Sequence, residues 1–108
     1  MKKQNRRDDE IKEQVAIALR EIKNPNFDSL LVTVISAEVS LDLKHAKIFV
    51  SILGEEKEAI LEILKKSSGF LKSTIATKTS LRTMPTLHFE LDTSLDYATK
   101  IENILKGL

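Results

Sequence analysis

KKSSGFLKSTIATKTSLR, residues 65–82, reads as helix on either side of a flaw. The apolar spacing of Leu64, Leu71 and Ile75 asks for helix where Ser67, Ser68 and Gly69 stand. Glycine costs about 1 kcal/mol relative to alanine in a helix interior, and neighbouring serine hydroxyls compete for the backbone's hydrogen bonds. A bend there is the expected consequence, and it would let two helical pieces follow a twisted sheet. The same stretch is stripped of acid. Between Glu62 and Glu90 there is no carboxylate, whereas Lys65, Lys66, Lys72, Lys78 and Arg82 supply five positive charges.

On the N-terminal side, residues 55–66 have helical spacing through Ala59, Ile60, Ile63 and Leu64, after a Gly54 that closes the preceding segment. That segment is LLVTVISAEVSL followed by KIFVSIL, rich in β-branched residues, with Ala46, Ile48, Val50 and Ile52 on one face. The polar residues 40–44 between them suit a turn, so the pair reads as a β-hairpin with one face on the core. On the C-terminal side Met84-Pro85 ends the helical pair, and TLHFEL alternates Leu87, Phe89 and Leu91 inward against His88 and Glu90 outward, a third strand. A last helix is expected from about Ser94, with Tyr97, Ala98, Ile101, Ile104 and Leu105 on its apolar stripe.

At the start of the chain, Ile11, Val15, Ala18, Leu19 and Ile22 recur at helical steps, predicting a helix over residues 8–22. Asp8, Asp9 and Glu10 complement its dipole at one end, Arg20 and Lys23 at the other, and Asn24-Pro25-Asn26 stops it. The order is helix, strand, strand, broken helix, strand, helix. An antiparallel hairpin joined by a helical crossover to a third strand predicts an α+β domain with helices on a mixed three-stranded sheet.

The 108 residues suffice for one core and not two, so residues 1–108 read as a single domain. The net charge of +1 exerts no general pull on nucleic acid or membrane; any electrostatic function must come from how charge is distributed. Without cysteine there is no disulfide framework, thiolate metal site or cysteine nucleophile. The N-terminal MKKQNRRDDE lacks the apolar core of a signal peptide, and no run approaches a membrane span, which reads as a cytoplasmic protein. Lys2, Lys3, Arg6 and Arg7 read as an ordinary charged terminus, with a mobile basic arm over residues 1–7 as the alternative.

Catalytic signals are weaker than binding ones. His45 and His88 read as strand residues, Asp42 as a turn residue bonding nearby backbone, and the adjacent pairs Asp8-Asp9 and Glu55-Glu56 diverge on a helix. There is no P-loop, dinucleotide fingerprint or nucleophile elbow, so neither catalysis, nor a cofactor, nor a metal is expected.

Binding is different. Lys65, Ser68 and Lys72 lie at steps of three and four on one helix side. A break at Gly69 would free backbone N–H groups at the start of the second piece, and a helix N-terminus attracts phosphate. Solvated helix faces mix signs, as Glu62 does with Lys65 and Lys66; beyond Lys66 no such partner exists. Lys78, three residues after Ile75, should run its stem towards the apolar side. Arg20 extends the basic surface, whereas Lys12 has Asp8 and Asp9 within a turn. Of the rings Phe27, Phe49, Phe70, Phe89 and Tyr97, Phe89 is expected inward and Tyr97 on an apolar stripe, so base stacking is a minor expectation and backbone recognition the larger one.

The segments ALREIKNPNF, LVTVISAEVSLDLKHAKIFVSILG and KKSSGFLKSTIATKTSLRTMPTLHFELDTSL together resemble the bacterial ribosome-binding factor A family. The resemblance implies a type II KH-like fold in which a kink between helices, generally Ala-x-Gly, replaces the Gly-x-x-Gly loop; Ser67-Ser68-Gly69 occupies that place. Ser67 stands where the family has Ala, and Asn26 where it tends to have Arg. It further implies binding to the small (30S) ribosomal subunit and help in late 16S rRNA maturation, particularly in the cold, by a monomer with no chemistry of its own. With the basic residues read from charge and spacing, the expected RNA-binding residues are Arg20, Lys44, Lys65, Lys66, Ser67, Ser68, Gly69, Lys72, Lys78 and Arg82. The rival reading, a module that binds an acidic protein, needs only the charges.

Overall fold

The computed structural model describes residues 6–79 and 83–92. Helix α1 (Arg6–Ala18) runs into a 3-10 turn at Leu19–Glu21; a second 3-10 turn at Ser29–Leu31 leads into strand β1 (Val32–Val39). Strand β2 (His45–Ile52), helices α2 (Lys57–Lys66) and α3 (Ser68–Ala76) and strand β3 (Thr86–Leu91) follow. The sheet order is β1-β2-β3, with β1 antiparallel and β3 parallel to the central β2. This is the mixed three-stranded α+β sheet expected from the element order. The expected last helix, with Tyr97, and the basic Arg82 lie outside the described residues.

One face of the sheet carries the core. Ala46, Ile48, Val50 and Ile52 of β2 are buried, as their alternation requires, with Leu87 and Phe89 beside them. Strand β1 solves a parity problem. Strict alternation through VTVISAEV would send Val32, Val34, Ser36 and Glu38 inward together. A bulge between Val34 and Ser36 leaves Ile35 without a partner and resets the register, so that Ala37 pairs with Ile48 on the buried face while Glu38 sits opposite Lys47 on the exposed one. Helix α1 packs on β1 and α3, and both α2 and α3 pack on β3.

Along the helical pair Ile60, Leu64, Leu71 and Ile75 are all buried, whereas Ala59, expected on the same stripe, is exposed. The interruption falls at Ser67 and not at Gly69. The Ser67 N–H donates to the carbonyls of both Ile63 (2.9 Å) and Leu64 (3.1 Å), tightening the last turn of α2, and its own carbonyl accepts the first bond of α3, from Leu71 N–H at 2.9 Å. One residue therefore ends one helix and begins the next. Serine costs a helix little by itself; the run of Ser67, Ser68 and Gly69 weakens three consecutive positions, and the ladder breaks at the first. Gly69 lies in the first turn of α3, where φ is ordinary and an added Cβ would meet nothing within 4 Å.

Among the described residues the first helix spans Arg6–Ala18 and stops short of the expected end at Ile22, so Arg6 and Arg7 belong to it; Lys2 and Lys3 are outside the described residues. Asp8 does more than face the helix dipole. It is 6% exposed, and its Oδ1 accepts the Val39 N–H at 2.9 Å, tying α1 to the end of β1.

The β1–β2 turn is held by Ser40 and Asp42. The Ser40 hydroxyl donates to Asp42 Oδ1 at 2.6 Å, the Lys44 N–H donates to the same oxygen at 3.0 Å, and Leu43 takes the left-handed conformation with φ 62°. The hydroxyl bond first, then the Lys44 N–H, holds the Asp42 carboxyl below its ordinary value of 3.8. A folded-state value that is lowered means the charged turn stabilises the fold above the unfolded carboxylate range and loses that contribution as pH falls through the folded value.

Two outcomes follow. Replacing Asp8 by Ala removes an acceptor from a part-buried N–H and should cost about 1–3 kcal/mol in urea unfolding, with Asp8→Asn milder because an acceptor oxygen remains. In an NMR titration the Lys44 amide should report an Asp42 midpoint below 3.8, and Ser40→Ala should move that midpoint upward.

Candidate nucleic-acid interface

The helix break is one wall of a cleft. The other wall is the 3-10 turn and loop after α1. Residues Arg20 to Asn24 face Lys66, Ser67 and Phe70 across an open space of about 850 Å³. Local structure sets each wall. Leu19 is buried and anchors the turn, leaving Arg20 exposed; Asn24 Oδ1 accepts the Asn26 N–H at 2.9 Å, and the buried Phe27 returns the loop to the core. On the opposite side Leu64 and Leu71 point into the core, which turns Lys66 and Phe70 outward.

Charge in the cleft is lopsided. Among the described residues, Arg20, Lys23 and Lys66 line it together with a single carboxylate, Glu21. Lys78, whose stem is expected to run towards the apolar side, has a half-exposed side chain that places its Nζ 3.7 Å from Glu21 Oε1. Such a half-exposed pair adds little stability, yet it sets a fourth cation against the acid that lines the cleft. Of the described cations of the acid-free stretch, Lys66 lines the cleft, while Lys78 engages its acid from the side.

Helix α3 presents its N-terminus at this wall. Its first turn contains no acid, and Ser67, its N-cap, makes no capping bond with its side chain. Its early N–H groups are aligned with the helix dipole, the arrangement that receives phosphate oxygens. The Ser67 and Ser68 side chains are half-buried and Gly69 is exposed.

The other expected residues separate into a second group. Lys65 is exposed at the end of α2 but does not line the cleft. Lys72 is half-buried and its Nζ lies 3.5 Å from the Thr86 hydroxyl at the start of β3. Exposed Lys44 is brought to the same place, because its carbonyl accepts the Thr86 N–H at 2.9 Å. Lys44, through its carbonyl, and Lys72, through its Nζ, thus both bond Thr86 at the start of β3, whereas Arg20, Lys66 and Ser67 line the cleft.

Of the eight described lining residues, five are not among the site residues expected from the sequence, and Lys23 and Phe70 are the two whose chemistry bears on binding. Lys23 reads there as a dipole partner of the first helix, but that helix stops before reaching it. Phe70 stands next to buried Leu71 and is 50% exposed; its position off the Leu64–Leu71–Ile75 stripe is the signal that could have found it. His45, expected to begin a strand, and His88, expected to face outward on another, are exposed and meet each other across the parallel pair, His45 Nδ1 lying 2.9 Å from His88 Nε2 with ring planes tilted by 41°. Each nitrogen has the other histidine as its partner, and no carboxylate takes part in that bond. No described helix is long and apolar enough to cross a membrane.

Against known proteins, residues 3–105 match the family model described as ribosome-binding factor A. Ribosome-binding factor A of Macrococcus caseolyticus is 44% identical over 103 residues, covering 93% of this chain and 89% of that protein. The solution structure of a Thermotoga maritima protein described as a putative ribosome binding factor A superposes with a TM-score of 0.70 at 30% identity, covering 77% of this chain and 80% of that one. A Thermus thermophilus ribosome binding factor A homology model, fitted into the cryo-EM map of a 30S complex with that factor, superposes with a TM-score of 0.69 at 22% identity, covering 84% and 97%. The KH-like order of elements, the broken helix pair and this match over nearly the full length lead to one conclusion: the chain belongs to the ribosome-binding factor A family.

Proposed function

We propose that this protein is an RNA-binding assembly factor that docks on the small ribosomal subunit through its 16S rRNA and assists late maturation of that RNA, acting in the cytoplasm as a monomer. The carrying observation is the cleft at Ser67, where Arg20, Lys23 and Lys66 converge with one carboxylate that Lys78 already engages. The family is one of ribosome-binding factors, and the Thermus relative was fitted into density of its 30S complex.

Phosphate contacts position a protein on RNA and carry most of its affinity. In this reading the guanidinium of Arg20 and the ammonium groups of Lys23 and Lys66 take successive phosphates. The first-turn N–H groups of α3 and the hydroxyls of Ser67 and Ser68 add short-range donors, and the bare backbone at Gly69 admits close approach. Lys44 and Lys72 give a second point of attachment at the start of β3, with Lys65 and Lys78 at the margins; Arg82 belongs to the same proposal on sequence grounds. The role is one of binding and of biasing RNA conformation, with no bond made or broken by the protein.

Reversing charge with Arg20→Glu and Lys66→Glu together should weaken co-sedimentation with small subunits by at least about tenfold at low salt, and should lower the slope of log affinity against log salt by about one for each phosphate no longer engaged. Unchanged co-sedimentation by a folded double variant would overturn the proposed surface. A preference of the wild-type chain for an acidic polypeptide over structured rRNA of equal charge would favour the protein-binding alternative. Gly69→Ala should leave thermal stability equal or raised by up to about 1 kcal/mol, since the new methyl meets open space and favours helix, while reducing binding; unaltered binding would remove Gly69 from the interface.

A further inference from the structure

A lone exposed aliphatic side chain needs no special explanation, and Leu30, Leu41 and Leu53 are each more exposed than Phe70. Phe70 differs in kind and in place. It is the aromatic among the exposed large hydrophobic residues described, and it stands on the wall of the cationic cleft, four residues after Lys66 and across from Arg20 and Lys23. Every other described phenylalanine is buried or half-buried in the sheet or core. An aromatic ring amid cations is the pairing that single-stranded nucleic acid selects for, because each nucleotide offers both a flat base and a phosphate.

We infer that the cleft receives an unpaired nucleotide, its base stacked on the Phe70 ring and its phosphates held by Arg20, Lys23 and Lys66. The inference rests on the RNA-binding reading above and narrows it: the target at this cleft is an unstacked nucleotide in a loop, bulge or single-stranded junction, and not the backbone of a continuous duplex. The volume of about 850 Å³ leaves room for a base with its sugar. A double helix keeps its bases stacked on one another and has no free base face to give the ring. The loop wall opposite carries Asn24, whose Oδ1 accepts the Asn26 N–H; stacking on a ring accepts every base, so recognition through Phe70 should be tolerant of sequence.

The test uses the full chain, a short single-stranded RNA of mixed sequence and the same sequence as a duplex, with Phe70→Ala, Phe70→Leu and Phe70→Trp variants. Because Phe70 is half exposed, all three should unfold at temperatures close to the parent chain, which thermal denaturation checks. The wild-type chain should prefer the single strand. Phe70→Ala should lose about tenfold or more of that affinity, Phe70→Leu nearly as much although it keeps apolar bulk, and Phe70→Trp should hold or gain affinity. The salt slope should stay unchanged in all three, since no charge is removed, whereas Arg20→Glu with Lys66→Glu lowers it. Equal affinity of Phe70→Ala and wild type, with the charge variants still impaired, would overturn stacking and leave the cationic reading standing. Full affinity in Phe70→Leu would show that apolar bulk and not ring stacking is used, and would also overturn it. Failure of the wild-type chain to bind either RNA would overturn both.

Discussion

The parallel pairing of β2 with β3 is the constraint from which the rest follows. Parallel neighbours cannot be joined by a tight turn, so the chain between them must cross over the sheet and cover it. That crossover is α2 and α3, and it must keep Ile60, Leu64, Leu71 and Ile75 on a surface that twists beneath them. Breaking the helix at Ser67 lets both halves bury their apolar sides. It also leaves a helix C-terminus and a helix N-terminus at one point of the surface, with Lys65 and Lys66 in the last turn of the first and no acid in the first turn of the second. The feature that packs the core is the one that prepares an anion site.

Packing of α1 against α3 completes that site. It sets the turn and loop after α1 opposite the break, so that three cations face each other across the cleft. The net charge of the chain is only +1, and local asymmetry does the selecting. Glu21 is the single carboxylate among the described lining residues, outnumbered by Arg20, Lys23 and Lys66, and Lys78 lies 3.7 Å from it. The exposed Phe70 adds a flat apolar surface to a wall otherwise made of charges and hydroxyls. Helix or 3-10 turn holds Arg20, Glu21, Lys66 and Phe70, whereas Lys23 and Lys78 sit in the loop and turn that follow such elements.

Much of the fold was legible because the signals are local. Alternation in KIFVSIL and TLHFEL, and the three- and four-residue steps of Ile11, Val15 and Ala18, depend only on neighbours in the chain. The poor alternation of VTVISAEV was visible too, but the bulge that explains it was not, since its placement is decided by pairing with β2. Ser67, and not Gly69, as the break also escaped, because glycine's propensity is the larger penalty while the ladder gives way at the first weak position. For the candidate site, the basic character of Arg20, Lys44, Lys66 and Lys72 could be read directly. Their division into a cleft group and a sheet-end group could not, nor could the meeting of Lys78 with Glu21, 57 residues away in the chain by subtraction of their numbers.

By itself the sequence determined the kinds of element, their order, the apolar face of each strand and the acid-free stretch around the break, because hydrophobic period and composition are properties of adjacent residues. Only tertiary structure decided that Arg20 and Lys23 would share a cleft with Lys66 and Phe70, that Asp8 would accept from Val39, and that the two histidines would touch. Each of those contacts joins segments far apart along the chain. Their proximity is set by how whole elements bury their apolar sides against one another, a quantity that no local pattern encodes.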